Sequence, residues 1–246
     1  MIKKRKSKIV HNDEMHLFGH LTELRKRLIW TAVTFLVTVL LSFIFVRDIY
    51  LWLSRDFEEK LVILGPSDVV WIYLMIAGVI SIAATIPMAA FQLWSFVKPA
   101  LKPKEQKAAI PYIPAFFVLF VGGICFGYFV IFPMLLSFLQ DMAGDFETIY
   151  TAQKYFGFMI NMTVPFGLLF EMPVIVLFLT KIGLLSPKRL VKFRKLSYFL
   201  LALIAIMITP PDIVSDILVI VPLFLLFEIS VMLSRIVYRK QVAASE

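Results

Sequence analysis

The sequence predicts an all-α, polytopic membrane protein with six transmembrane helices, and three observations indicate this fold class. Of the 246 residues, 60% are hydrophobic and 17% charged, with a mean hydropathy of +0.87, whereas a soluble domain needs a larger charged surface. Apolar runs long enough to cross a hydrocarbon core of roughly 30 Å recur along the chain. Lysine and arginine concentrate in alternate connecting segments, which is typical of membrane topology.

Six apolar segments are the predicted spans: Leu28–Val46, Val69–Val97, Ala108–Phe138, Tyr155–Thr180, Leu196–Thr209 and Ile213–Leu233. The third would be about 46 Å long, so it must tilt or bend, and Pro133 and the Gly122-Gly123 pair offer places to do so. We expect short fifth and sixth helices. The fifth reaches only about 21 Å, which predicts a thinned bilayer or a partly unoccupied leaflet, and Pro210-Pro211 ends it.

Charge asymmetry predicts the orientation of the chain. The two tails and the second and fourth connecting segments hold 21 lysines and arginines, and the other three segments hold four. This imbalance places both termini in the cytoplasm. It also explains the net charge of +8, so no nucleic-acid partner is expected. The predicted parts are a cytoplasmic tail (1–27), a six-helix transmembrane domain (28–233) and a second cytoplasmic tail (234–246).

An amphipathic helix is predicted within the N-terminal tail. Its apolar residues recur at helical spacing: Leu17, Phe18, Leu21, Leu24 and Leu28. Three basic residues, 25–27, stand at its far end. This pattern is typical of a short helix that lies along the membrane interface and leads into the first span.

The sequence gives little support for an enzyme that depends on histidine, metal or phosphate chemistry. All three histidines (His11, His16 and His20) lie in the N-terminal tail, and the chain contains neither a zinc-protease motif nor a glycine-rich phosphate loop. His16 and His20 are four residues apart but lack a third ligand, so we expect ordinary interfacial histidines and no metal site. No cofactor is expected. The single cysteine, Cys125, excludes a disulfide within the chain.

Acidic residues are the remaining candidates. Glu171 lies about 15 Å from the cytoplasmic end of the fourth span, near mid-membrane. At that depth it either lines a polar cavity or contacts a passing substrate, or else it forms a hydrogen bond to a neighbouring helix. Glu228, near the cytoplasmic end of the sixth span, fits an ordinary interfacial position.

Three further acids have local structural explanations. Glu23 is spaced to pair with Arg27 or Lys26 on one helix face. Glu105 opens the third span, where an acid complements the helix dipole. Asp212 directly precedes the sixth span and is a candidate N-cap. Spacing alone assigns none of these three residues to a functional site.

Several short motifs stand at and around these residues: HLTELRKRL (20–28), FVKPAL followed by Glu105 (96–105), YFVIFP (128–133), FEMPV (170–174), TPPD (209–212) and LFEIS (226–230). Together and in this order they resemble the TatC family, the multi-spanning receptors of the twin-arginine translocase. The resemblance covers most of the chain.

The resemblance implies a concave, glove-like helix bundle in the bacterial cytoplasmic membrane. Such proteins recognise twin-arginine signal peptides on folded precursors. They export the folded cargo with small single-span subunits of the TatA or TatB type, using the proton-motive force and assembling into higher-order oligomers. The function implied is therefore that of a receptor and core translocase subunit, not of an enzyme.

The resemblance also implies site residues. Glu23 and Glu105 would form the twin-arginine pocket, since carboxylates accept the planar fork of a guanidinium bidentately. Arg25 belongs to the same signature, and Phe96 would pack beside the pocket.

Three other residues take roles from the resemblance. Glu171 would lie inside the concave face and hold a polar group near a thinned membrane. Thr209 and Asp212 would lie in the outer region, near the docking surface for the small partner helices.

Two alternative functions follow from the residues alone. A proton-coupled transporter of a small solute would use Glu171 as its relay, but such proteins usually contain inverted repeats, and the two halves of this chain have dissimilar span lengths. An intramembrane protease is disfavoured because no predicted span contains a histidine.

Overall fold

The computed structural model describes residues 2–55, 61–100, 106, 110–144 and 149–243, with the backbone alone for residues 2–20 and 100. Its regular elements are helices: α1 Ile2–Ser42, α2 Val46–Leu53, α3 Pro66–Val97, α4 Tyr112–Phe126, α5 Phe132–Ala143, α6 Ala152–Leu169, α7 Met172–Lys181, α8 Pro187–Lys192, α9 Arg194–Ile208 and α10 Ile213–Ala243. A π-helical turn, Gly127–Ile131, joins α4 to α5. An isolated parallel bridge connects Val62 with Thr151.

Four stretches in the described part of the chain are long and apolar enough to cross a membrane: α3, α4 with α5, α6 with α7, and α10. A fifth arises if residues 21–42 of α1 are counted with α2, which is bent away by 69°. Helix α9 has 15 residues and spans about 22 Å, short of the hydrocarbon core. The protein is thus a multi-pass helical membrane protein, and the count of six spans stays a prediction.

Two helices differ from the predicted boundaries. Helix α10 has 31 residues, so the expectation of a short sixth helix is wrong. It continues ten residues past the predicted end at Leu233, because the arginine, lysine, glutamine and alanine residues that follow are good helix formers. The predicted amphipathic segment is helical, but it runs into the first span without a break, since residues 2–42 contain no proline.

The closest helix packing lies between α4 and α6. A Cβ atom added to Gly123 would lie 2.5 Å from the carbonyl oxygen of Phe166, and one added to Gly127 would lie 2.8 Å from the Cα atom of Thr163. Gly123 on α4 and Gly127, the first residue of the π-helical turn, are four residues apart and both face α6, where small residues let two backbones approach. Glycine serves here for close packing rather than for bending.

Hydroxyl pairs connect helices elsewhere in the bundle. The Ser42 and Ser81 hydroxyls lie 3.0 Å apart and hold α1 against α3. The Thr180 and Ser234 hydroxyls, 2.7 Å apart, join α7 to α10. In apolar surroundings such pairs satisfy groups that would otherwise be costly to bury. The α1–α3 pairing places Arg27, in the middle of α1, beside Gln92 near the C-terminal end of α3.

Candidate functional site

Glu23 is held in a three-residue network between α1 and α3. Its carboxylate accepts hydrogen bonds from Arg27 Nε, at 3.1 Å, and from Arg27 Nη2. Arg27 Nη1 donates to the Gln92 side-chain oxygen on α3, at 3.2 Å. The predicted pairing of Glu23 with Arg27 is confirmed. Gln92 was not predicted, because nothing in the sequence links a neutral amide to an arginine 65 positions away.

The other residues of the implied pocket lie on or next to the same two helices. Phe96 is partly buried and follows Gln92 by four residues, so the two share a face of α3. Arg25 is exposed on α1. Glu105 lies outside the described residues, so its place relative to Glu23 stays a prediction. Beyond it, Gln106 Nε2 donates to the Lys98 carbonyl at the end of α3, at 3.1 Å.

Glu171 stands at the junction of α6 and α7 with 6% of its surface exposed. The helix breaks here because Pro173 has no N–H to donate to the Leu169 carbonyl. Among the described residues, neither Glu171 carboxylate oxygen has a hydrogen-bond partner. The alternative of a hydrogen bond to a neighbouring helix is therefore not observed. The position is ten residues from the end of α7 at Lys181, and its depth in the membrane stays a prediction.

The TPPD motif forms the turn between α9 and α10. The Ser215 backbone N–H donates to Asp212 Oδ1 at 2.7 Å, so the predicted N-cap is confirmed. Hydrogen bonding from Ser215 holds the pKa of the Asp212 carboxyl below its ordinary value of 3.8. The Thr209 hydroxyl lies 2.5 Å from an Asp216 carboxylate oxygen and 2.9 Å from the Ala205 carbonyl oxygen. Both acids therefore stabilise the turn.

Glu228, on α10, forms a second network with residues at the start of α9. Arg194 Nη2 donates to one of its carboxylate oxygens, at 2.5 Å, and the Tyr198 hydroxyl donates to the other, at 2.5 Å. The position of Glu228 in the sequence predicts only an ordinary interfacial residue. Opposite charges at neighbouring ends of the last two predicted spans were the signal that could have revealed the pair.

Metal-ligating side chains do not gather in the part of the chain whose side chains are described: no group of three or more histidine, cysteine, aspartate or glutamate residues occurs there. The side chains of His16 and His20 lie outside that part.

Comparison with known proteins identifies the family. Residues 19–222 match the family model of the Sec-independent protein translocase protein (TatC). The chain belongs to the TatC family. It is 56% identical to TatCd of Bacillus subtilis (strain 168) over 229 residues, 93% of this chain and 95% of that relative. It is 39% identical to TatCy of the same organism over 93% of this chain and 92% of that relative.

Solved structures agree with this assignment. A crystal structure of the twin arginine translocase receptor TatC is 32% identical and matches with a TM-score of 0.77, over 89% of this chain and 99% of that one. A second, in DDM, is 31% identical with a TM-score of 0.78, over 87% and 99%. The protein is thus a core subunit of the Sec-independent translocase, a multi-pass membrane protein that works with other translocase components. The small-solute transporter is not favoured.

Proposed function

We propose that this TatC subunit is a non-enzymatic receptor that binds the paired arginines of signal peptides through Glu23 and Glu105. Small single-span subunits of the TatA or TatB type then join it to export the folded precursor at the expense of the proton-motive force. In this proposal the protein resides in the bacterial cytoplasmic membrane, in higher-order oligomers, with residues 1–27 and 234–246 in the cytoplasm. The observation that carries it is the Glu23 carboxylate, which already accepts a guanidinium.

The geometry at Glu23 supports recognition of arginine over lysine. One Glu23 oxygen accepts two donors of the Arg27 guanidinium, and a planar fork of donors is what distinguishes arginine from lysine. The Glu23 and Arg27 side chains are 37% and 23% exposed, so a peptide can reach the carboxylate from the aqueous side. Arg25 on the same helix repels a cationic segment that is out of position.

The intramembrane and turn residues take the following parts in the proposal. Glu171 supplies a polar group at mid-membrane that contacts the passing substrate or its hydration. The turn of Thr209 and Asp212, flanked by the exposed side chains of Met207 and Ile213, receives a single-span partner. Phe96 packs beside the arginine pocket.

Peptide binding to the purified protein tests the proposal. Glu23→Gln and Glu105→Gln each remove a charge-assisted interaction of about 1.5–3 kcal/mol, so we expect affinity for a twin-arginine peptide to fall by roughly tenfold or more. Glu228→Gln changes an equivalent acid outside the pocket and serves as the control. Unchanged affinity in both pocket variants, or equal affinity for a twin-lysine peptide, contradicts the assignment.

A further inference from the structure

The segment that connects α7 to α9 lies alongside the C-terminal part of α10. Gln241 Nε2 donates to the Lys181 carbonyl at 2.6 Å, and Arg194 Nη2 donates to the Glu228 carboxylate at 2.5 Å. Gln241 and Glu228 are thirteen residues apart, about 20 Å along α10. Both ends of the connecting segment are thus fixed to α10, and α8, which lies within the segment, packs against the same helix.

These two neighbouring stretches carry charge of one sign. Residues 181–195 contain six lysines and arginines, residues 234–243 contain three, and neither stretch contains an acidic residue. Arg194 is paired with Glu228. Because like charges held close together repel one another, such a surface attracts anions. Six exposed side chains of the two stretches form what we call the basic patch: Lys188, Arg189, Lys192, Arg235, Arg239 and Lys240.

Apolar side chains that stand among the basic ones indicate what carries the anion. Leu184 is 62% exposed, Phe193 53% and Ile236 46%. Free phosphate or an acidic peptide would leave these side chains in water, whereas a lipid surface covers apolar groups and presents phosphate beside them. The patch is also placed for this contact, since α8 follows shortly after α7, whose stretch with α6 is long and apolar enough to cross a membrane.

We propose that the basic patch binds the headgroups of anionic phospholipids and holds α8 at the membrane interface. Lys188 and Lys192 share one face of α8, and Arg235 and Arg239 share one face of α10, so the patch offers two pairs of cations to phosphate groups. Charge asymmetry explains on which side of the membrane these residues lie, and the proposal adds a retained ligand. It is independent of the arginine pocket at Glu23.

Native mass spectrometry of the purified protein tests the proposal. The protein in dodecyl maltoside is mixed with equal amounts of phosphatidylglycerol and phosphatidylcholine that have the same acyl chains. We expect phosphatidylglycerol to bind about tenfold more tightly, with a preference that falls as the ionic strength rises. Two triple variants, one on each helix, should each lower the preference about fivefold or more: Lys188→Gln with Arg189→Gln and Lys192→Gln, and Arg235→Gln with Arg239→Gln and Lys240→Gln.

A third triple variant is the matched control. Arg47→Gln with Arg55→Gln and Lys154→Gln removes three exposed cations from the other end of the bundle and should keep the preference intact. Thermal unfolding checks that each variant is folded, and if one patch variant does not fold, the other decides. Equal binding of the two lipids overturns the proposal, as does an equal loss of preference in the control. Displacement of the lipid by an equal concentration of inorganic phosphate or of a polyglutamate peptide also overturns it.

Discussion

Arg27 divides its guanidinium between Glu23 on its own helix and Gln92 on α3. In the proposed function, an incoming peptide arginine competes with Arg27 for the same carboxylate. A partly exposed ion pair of this kind is worth about 1 kcal/mol or less. The internal guanidinium therefore occupies the pocket weakly and yields to a peptide that brings two arginines.

Removal of Arg27 is expected to strengthen peptide binding. Arg27→Gln removes a competitor for the Glu23 carboxylate, and the affinity for a twin-arginine peptide should rise by up to about fivefold, the equivalent of 1 kcal/mol. Titration of a labelled peptide against purified protein measures this change. Lys26→Gln removes the same charge from the next residue as a control. Weaker binding in Arg27→Gln alone would mean that Arg27 orients Glu23 for the peptide instead of competing with it.

Glu171 is expected to weaken the fold while serving transport. Its carboxylate is buried without a partner among the described residues, and an unsatisfied buried polar group costs about 1–3 kcal/mol. Glu171→Met should therefore raise the thermal unfolding temperature by several degrees and lower transport of a folded precursor. Glu228→Met, which breaks the pair with Arg194, should lower the unfolding temperature. A lower unfolding temperature in Glu171→Met would show that the carboxyl stabilises the fold.

At the scale of elements, the contact of α4 with α6 depends on one of two adjacent glycines. A Cβ atom at Gly123 meets the α6 backbone, whereas one at Gly122 meets nothing within 4 Å. Gly123→Ala should destabilise the protein by about 1–3 kcal/mol through overpacking. Gly122→Ala should be neutral or stabilising by up to about 1 kcal/mol through helix propensity. Thermal unfolding in one detergent compares them, and equal effects would contradict the close approach.

The N-cap of α10 makes the stability of the turn depend on pH. The pKa of Asp212 is lower in the folded protein than its ordinary value of 3.8, so its contribution is present above pH 3.8 and is lost as the pH falls through the lowered folded-state pKa. Asp212→Asn keeps a capping side chain but not the charge. We expect the variant to unfold at a lower temperature than the unmodified protein at pH 6, with the difference closing towards pH 3.

The exposed Asp141, at the end of α5, provides the control for that measurement. Asp141→Asn should leave the unfolding temperature nearly unchanged at both pH values. A constant difference between Asp212→Asn and the unmodified protein across the range would show that the charge of Asp212 does not contribute to the cap.

At the scale of the whole molecule, charge asymmetry makes a topological prediction. With Cys125 replaced by serine, a cysteine at Lys102 should react with a membrane-impermeant maleimide only from the cytoplasmic side. A cysteine at Arg55, in the first connecting segment, should react only from the opposite side. The reverse pattern would show that the protein has the opposite orientation in the membrane. The proposed pocket would then lie on the side away from the one where precursors are made.

The sequence was enough to predict the helical membrane class, the short α9 and the local contacts of Glu23 with Arg27 and of Asp212 with α10. These depend on hydropathy, charge and spacings of three or four residues, which are readable along one chain. The continuity of α1 and the full length of α10 were not predicted. Polar residues that follow a span either continue the helix beyond the membrane or end it, and hydropathy does not distinguish the two cases.

Only the tertiary structure decided which distant side chains meet. The bond from Arg27 to Gln92, the network around Glu228 and the lack of a partner for the Glu171 carboxyl among the described residues each depend on how separate helices cross. Crossing is set by interdigitation of small and large side chains, as at Gly123, and that packing depends on several helices together. This packing cannot be predicted from any single segment of the sequence.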